Sequence, residues 1–389
     1  STTAPGALEF SHSEVTQLNW DSSSIWPRKT MLDVLGGSSL GAGGHLTEHS
    51  LSASTEPMVA PTLRGSDPSL DVAQALLRLQ SGLLHAHAEG VRTETEHDAA
   101  VHHLHQFRVA LRRTRSVLKL IREVFPATLG KHFRKRFSWM GKITGPVRDL
   151  DVWLSALADY RATIPPAEAA HLGPLVERLE AERAVAHVQL LREFQRKRFH
   201  QTLRDWQLFV DAPYTEPDRP AEANEPISAP TSVAIANRYR VLVHSGSRVT
   251  QFTADGAVHA VRIEVKKLRY LVRLFGPLIA DDLTKVNAGL KKLQRCLGSF
   301  NDNSVQLMAL HRVLPELLQD PATTPQQLLA LGQLMGHLRT GKQHDRARFL
   351  RRMAQVSSEP MQARYAEAFG VSTMPLFTED SIEQVDVAE

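Results

Sequence analysis

The chain repeats itself. His105-Gln106-Phe107-Arg108 precedes Arg112-Arg113-Thr114-Arg115, and His259-Ala260-Val261-Arg262 precedes Lys266-Lys267-Leu268-Arg269 at the same spacing, 154 residues later. Downstream, Gly145-Pro146-Val147-Arg148-Asp149 is answered by Gly298-Ser299-Phe300-Asn301-Asp302 with an offset of 153. Several charged residues sharing one spacing with a Gly and an Asp are hard to obtain by chance. The repeat constrains the fold to a duplicated helical unit, hence two bundles related by a pseudo-twofold axis.

The rest of the pattern agrees with an all-α chain. Apolar residues recur at three and four from Ser69 to about Leu208. They predict helices over 69–90, 98–125, 129–160 and 166–209, with breaks near Gly90, Pro126 and Pro165-Pro166. Residues 1–68 are rich in Ser, Gly, Thr and Pro and read as a flexible arm. Their Gly36-Gly37-Ser38-Ser39-Leu40-Gly41-Ala42-Gly43-Gly44 stretch lacks the Lys before Ser/Thr that a phosphate-binding loop needs. Helices over 69–210 form the first bundle, and Pro213, Pro217, Pro220, Pro226 and Pro230 mark 211–230 as a linker. The second bundle spans 231–370, and an acidic tail covers 371–389.

Composition narrows the setting. The single cysteine, Cys296, falls at core spacing on a helix and forbids an intrachain disulfide, so a reducing intracellular compartment such as the cytoplasm is expected. No run of about 18 apolar residues exists to span a membrane, and no signal peptide is visible. The formal net charge is only +4, so the placement of charge matters more than its total.

That placement is one-sided. On a wheel advancing about 100° per residue, Arg108, Arg112, Arg115 and Lys119 fall within roughly 80° of His105. Val109, Leu111, Val117 and Leu118 lie on the remaining arc. The second copy repeats the strip with His259, Arg262, Lys266, Arg269 and Arg273. From the His to the third basic residue each strip is about 15 Å long. Between Val101 and Arg148 twelve Lys and Arg stand against Glu123 alone. Such like charges repel at this spacing, and an ordinary solvated face mixes signs, so one-signed strips in both copies point to a polyanion site. Lys131, Lys135 and Lys142 before Gly145, with Lys291 and Arg295 before Gly298, extend it. Arg offers forked donors to phosphate oxygens, Lys a mobile point charge, and His a donor whose charge rises in acid. Reversing Arg108 and Arg262 to Glu is expected to abolish binding while leaving helicity intact. Asp149 and Asp302 are the acids that recur and are expected to be structural, pairing with bases at the bundle interior. Arg113 and Lys267 project away from the strips, and Glu264 has no counterpart in the first copy.

With these residues in hand, the chain resembles the CHAD family of conserved-histidine α-helical domains. The likeness rests on His105-x-x-Arg108 through Arg115 with Gly145-x-x-Arg148-Asp149-Leu150-Asp151, and on His259-x-x-Arg262 through Tyr270 with Leu297-Gly298-x-x-Asn301-Asp302. It covers about 69–370. It implies two antiparallel four-helix bundles and non-catalytic binding of inorganic polyphosphate through the basic helix faces, with polyphosphate-rich granules as a destination. Members often follow a catalytic triphosphate-tunnel domain, whose Glu-x-Glu-x-Lys signature is absent here.

Three other readings are set against it. A nucleic-acid backbone would suit the same strips, although single-strand binders interleave stacking aromatics and only Tyr270 is close. A metal site at His97, His102, His103 and His105 would place a cation among cations, so no metal and no cofactor is expected. A phosphoryl-transfer enzyme would need carboxylates holding a metal, and Asp149-Leu150-Asp151 is matched by Asp302-Asn303-Ser304 in the second copy.

Overall fold

A computed structural model describes residues 63–120, 127–212, 221–280 and 282–370. Most of the arm expected at 1–68 and all of the acidic tail lie outside these residues, as does the break expected at Pro126. The described residues are all-α, with no strand among them and one isolated bridge between Pro68 and Pro226. None of their helices is long and apolar enough to cross a membrane.

The first half contains α1 (Ser69–Thr93), α2 (His97–Leu120), α3 (Ala127–Arg161), the short α4 (Pro166–Ala170), α5 (Gly173–Gln195) and α6 (Lys197–Asp211). The second half contains α7 (Ser228–Ser247), α8 (Asp255–Phe275), α9 (Thr284–Gln319), α10 (Pro325–Val356) and α11 (Glu359–Phe369). The helix expected over 166–209 is therefore three. Gly173-Pro174 opens a new helix, and Arg196 adopts extended backbone (φ −66°, ψ 141°) that ends α5. That break lets Phe194 and Phe199 stack at 4.2 Å in the core. Within the proline-rich stretch Ala223 and Ile227 are buried, and α7 begins at Ser228. Residues 63–68 are tied to it, since Ser228 N donates to Gly65 O at 3.0 Å and Ile227 N to Asp67 O at 3.0 Å.

Amphipathic helices dictate the packing. The apolar arc of α2 puts Phe107, Leu111, Val117 and Leu118 into the core, while α8 does the same with Val261, Val265, Leu268 and Val272. α2 packs on α1, α3 and, across the halves, on α8 and α7; α8 packs on α7 and α9. One hydrophobic core consequently runs through both halves, from Leu70 to Phe369. A second, separate cluster joins the far ends of α3 and α9: Leu157, Tyr160, Leu172, Leu175 and Leu179 meet Leu307, Leu310, Leu331, Leu334 and Leu338. Arg178 Nη2 donates to Glu316 Oε2 at 2.8 Å beside it.

Candidate functional site

Because α2 and α8 pack against each other, the two basic strips meet. Arg112 Nε donates to Tyr270 Oη at 2.8 Å, which links the first strip to the second. Arg113, expected off the strip, is in fact at this seam. It lies within electrostatic reach of Arg273 and Tyr270, and burial with the nearby Arg273 lowers its pKa to about 10. The wheel gave its angle correctly; the neighbour filling that angle is the other half's strip, which no single-helix projection shows.

In the first half the cluster is built on two helices. Arg108 is only 5% exposed, and its Nη1 donates to Thr144 Oγ1 at 2.9 Å and to Gly141 O at 3.1 Å on α3. One turn on, Arg148 is 2% exposed and lies within electrostatic reach of His105, Arg108 and Arg112. Burial depresses its pKa, partly offset by Asp151 and Asp149. Asp151 is itself engaged, accepting from Arg183 Nε at 2.6 Å. Burial and then the neighbouring Arg148 and Arg112 push His105 down to about 3, so it is neutral through mild acid. The expected gain of charge at slightly lowered pH does not hold for this residue. His105 Nδ1 and Arg148 Nε are buried without a hydrogen-bond partner among the described residues.

The second half is organised around an acid. His259 Nδ1 donates to Asn301 Oδ1 at 2.8 Å, and burial lowers its pKa. Arg262 (2% exposed) and Lys266 flank the buried Asp302, with Arg148 of the first half also within electrostatic reach. Burial raises the Asp302 carboxyl to about 6 against these three cations. Arg269 Nη1 donates to Gln294 Oε1, and burial with Arg273 lowers its pKa to about 10. Lys267 leaves the strip as expected. It pairs with Glu264 at 2.8 Å, and Glu264 also accepts from Arg238 Nη1 at 3.1 Å, which accounts for the unmatched acid of the second copy.

The structure thus brings together His105, Arg108 and Arg112 with His259, Arg262, Lys266, Arg269 and Arg273, and adds Arg113, Arg148 and Tyr270. The Gly-x-x-Arg-Asp motif already carried Arg148; that it faces the strip is set by α3 packing, which the motif alone does not give. Arg115 and Lys119 are exposed farther along α2. Lys131, Lys135 and Lys142 are exposed on α3, outside the contacts that tie the central cluster, and Lys291 and Arg295 are exposed on α9. Asp149 is half-buried. Arg108 and Arg262, whose reversal was expected to leave the helices intact, are largely covered, so reversing their charge alters packing too. Cys296 is half-buried rather than fully in the core.

The other histidines form their own group. His87 Nδ1 and His103 Nδ1 are 3.1 Å apart, with His102 beside both rings. An added Cβ at Gly90 would stand 2.2 Å from the His103 ring, so only glycine admits it there. No group of three or more His, Cys, Asp or Glu among the described residues is arranged to hold a metal ion.

No curated protein matches the chain. Among solved structures, the fold is similar to that of PptA from Streptomyces chartreusis, at 19% identity and a TM-score of 0.57, covering 74% of this chain and 99% of that one. It is also similar to the CHAD domain from the plant Ricinus communis, at 21% identity and a TM-score of 0.53, covering 82% and 96%. The family model of the CHAD domain matches residues 75–311, which include both strips and both Gly-to-Asp motifs. This chain belongs to the CHAD domain family.

Proposed function

We propose that the protein binds inorganic polyphosphate, without cleaving it, in the seam between α2 and α8. The observation that carries this reading is the meeting of two one-signed strips, linked through Arg112 and Tyr270. A linear anion with no base or ring asks only for closely spaced cationic donors, and the cluster offers forked guanidinium groups, an ammonium and imidazoles from both halves.

The acids nearest the strips support binding over phosphoryl transfer. Asp151 is held by Arg183, and Asp302 is buried among Arg262, Lys266 and Arg148. Neither arrangement presents a carboxylate pair to a metal and a substrate. In this reading the protein is a polyphosphate adaptor, and polyphosphate-rich bodies are where its binding would direct it.

Titration of the purified protein with polyphosphate of defined length, at several salt concentrations, tests the proposal. Affinity is expected to rise with chain length and to fall steeply with salt. Equal or tighter binding of single-stranded nucleic acid in competition at fixed salt would overturn the assignment, as would release of phosphate from the polymer with Mg²⁺ or Mn²⁺.

A further inference from the structure

The cationic surface does not stop at α8. Arg269 lies within electrostatic reach of Arg273 on one side and of Arg295 on α9 on the other. Arg295 is exposed and adjoins Cys296, whose thiol senses Arg348 and Arg352 of α10 together with Arg295. Arg348 and Arg352 are four residues apart on one helix, hence on one face, as are Lys291 and Arg295 on α9. α9 and α10 run alongside each other here, with Ser299 Oγ donating to Asp345 and Gly289 lying against Val356, while Lys291, Arg295 and Arg348 stay exposed.

The charge pattern here repeats what marked the strips. From Thr284 to Asn301, α9 carries Lys285, Lys291, Lys292 and Arg295 and no acid. From Gly341 to Val356, α10 carries five Lys and Arg against Asp345 alone. Asp345 is buried, accepting from Ser299 Oγ, and reaches Arg348 only at 3.7 Å, while the Arg348 side chain remains 63% exposed. Arg352 donates from Nη1 to a neutral partner, Gln355 Oε1, at 2.9 Å. Arg351 is exposed beside them, whereas two other cations of α10 have another task. Lys342 and Arg346 both pair with Asp255, and Arg346 also donates to the carbonyl of Gln251 at 3.0 Å, fixing the start of α8.

We propose that a long polyanion leaves the central seam across α9 and continues over α10, held by Lys291, Arg295, Arg348 and Arg352. This outer track rests on the polyphosphate reading above and adds a length-selecting surface that lies partly outside the family-matched segment. The seam engages any chain that reaches it; the track engages only chains long enough to extend past Arg269.

The test compares tripolyphosphate with long-chain polyphosphate on the full chain and on the double variant Arg348→Gln/Arg352→Gln. The variant is expected to bind the long polymer about tenfold more weakly or worse, with the slope of log K against log salt reduced by about 2. Its affinity for tripolyphosphate and its far-UV dichroism are expected to match the parent. Lys at both positions keeps the charge and is expected to restore most of the long-chain affinity. Unchanged long-chain affinity and slope overturn the track while leaving the seam intact. Equal loss for both ligands also overturns it, because those arginines would then act on the seam itself. If the parent binds neither ligand, the polyphosphate reading falls and the track falls with it.

Discussion

Arg112 and Tyr270 join the two halves of the protein through one hydrogen bond, Nε to Oη at 2.8 Å, at the place where the two basic strips meet. The phenol gives Arg112 a neutral acceptor that orients the guanidinium. Tyr270→Phe keeps the ring and removes the acceptor. The expected result is a fall in polyphosphate affinity with a loss of about 1 kcal/mol in stability, read from the urea midpoint. An unchanged affinity would mean that Arg112 holds its position without the phenol.

Buried and exposed arginines of one strip should separate in their effects. Arg108→Gln removes the donor to Thr144 and Gly141 O and is expected to cost about 1–3 kcal/mol of stability, as for a buried charged hydrogen bond. Arg115→Gln, at an exposed position, is expected to leave the melting temperature within about a degree or two and to weaken binding only. Paired thermal melts and ligand titrations distinguish the two classes; equal thermal losses would place Arg115 in the packing.

Asp302 should weaken the fold at neutral pH. Its carboxyl is raised from 3.8 to about 6, so between those values the folded chain binds more protons than the unfolded one. Stability from this group therefore falls as pH climbs from about 4 to about 6 and is level above. Asp302→Asn is expected to raise the unfolding free energy from urea titration at pH 7.5 by on the order of 2 kcal/mol, with the difference vanishing below pH 4. It also removes the negative charge between Arg262, Lys266 and Arg148, so polyphosphate affinity should increase. A lowered midpoint at pH 7.5 would instead identify Asp302 as a net stabilising counter-ion.

His105 works in the opposite direction. Its pKa is lowered from 6.5 to about 3, so the unfolded chain binds the extra proton between these values and acid erodes stability through that window. Nitrogen-detected NMR of the imidazole is expected to show a neutral ring at pH 5.5 in the free protein. An anion seated beside it favours the charged form, and polyphosphate should move the titration upward by a unit or more. A midpoint that does not respond to ligand would place His105 outside the binding seam.

The all-α class was legible in the helical spacing of the apolar residues. A helical wheel fixes the angle at which a side chain leaves its own helix, and Arg108, Arg112, Arg262 and Lys266 needed no more than that. It says nothing of what stands opposite. Arg113 looked misplaced until Arg273 and Tyr270 came to face it, and Arg148 joined the cluster only through the packing of α3 on α2. Depth was equally hidden, because a guanidinium that snorkels and one that is sealed under a neighbouring helix have the same sequence signature. The break at Arg196 escaped for a related reason: it is a backbone turn serving a stack of Phe194 on Phe199, with no Gly or Pro at the turn itself.

The leucine-rich cluster at the far ends of α3 and α9 bears on all of this. Like charges gathered where α2 meets α8 repel across the seam, and the apolar cluster that joins α3 to α9 helps hold the halves together against that repulsion. A multivalent anion seated at the seam would offset the repulsion, and so should act as a thermal stabiliser of the entire chain.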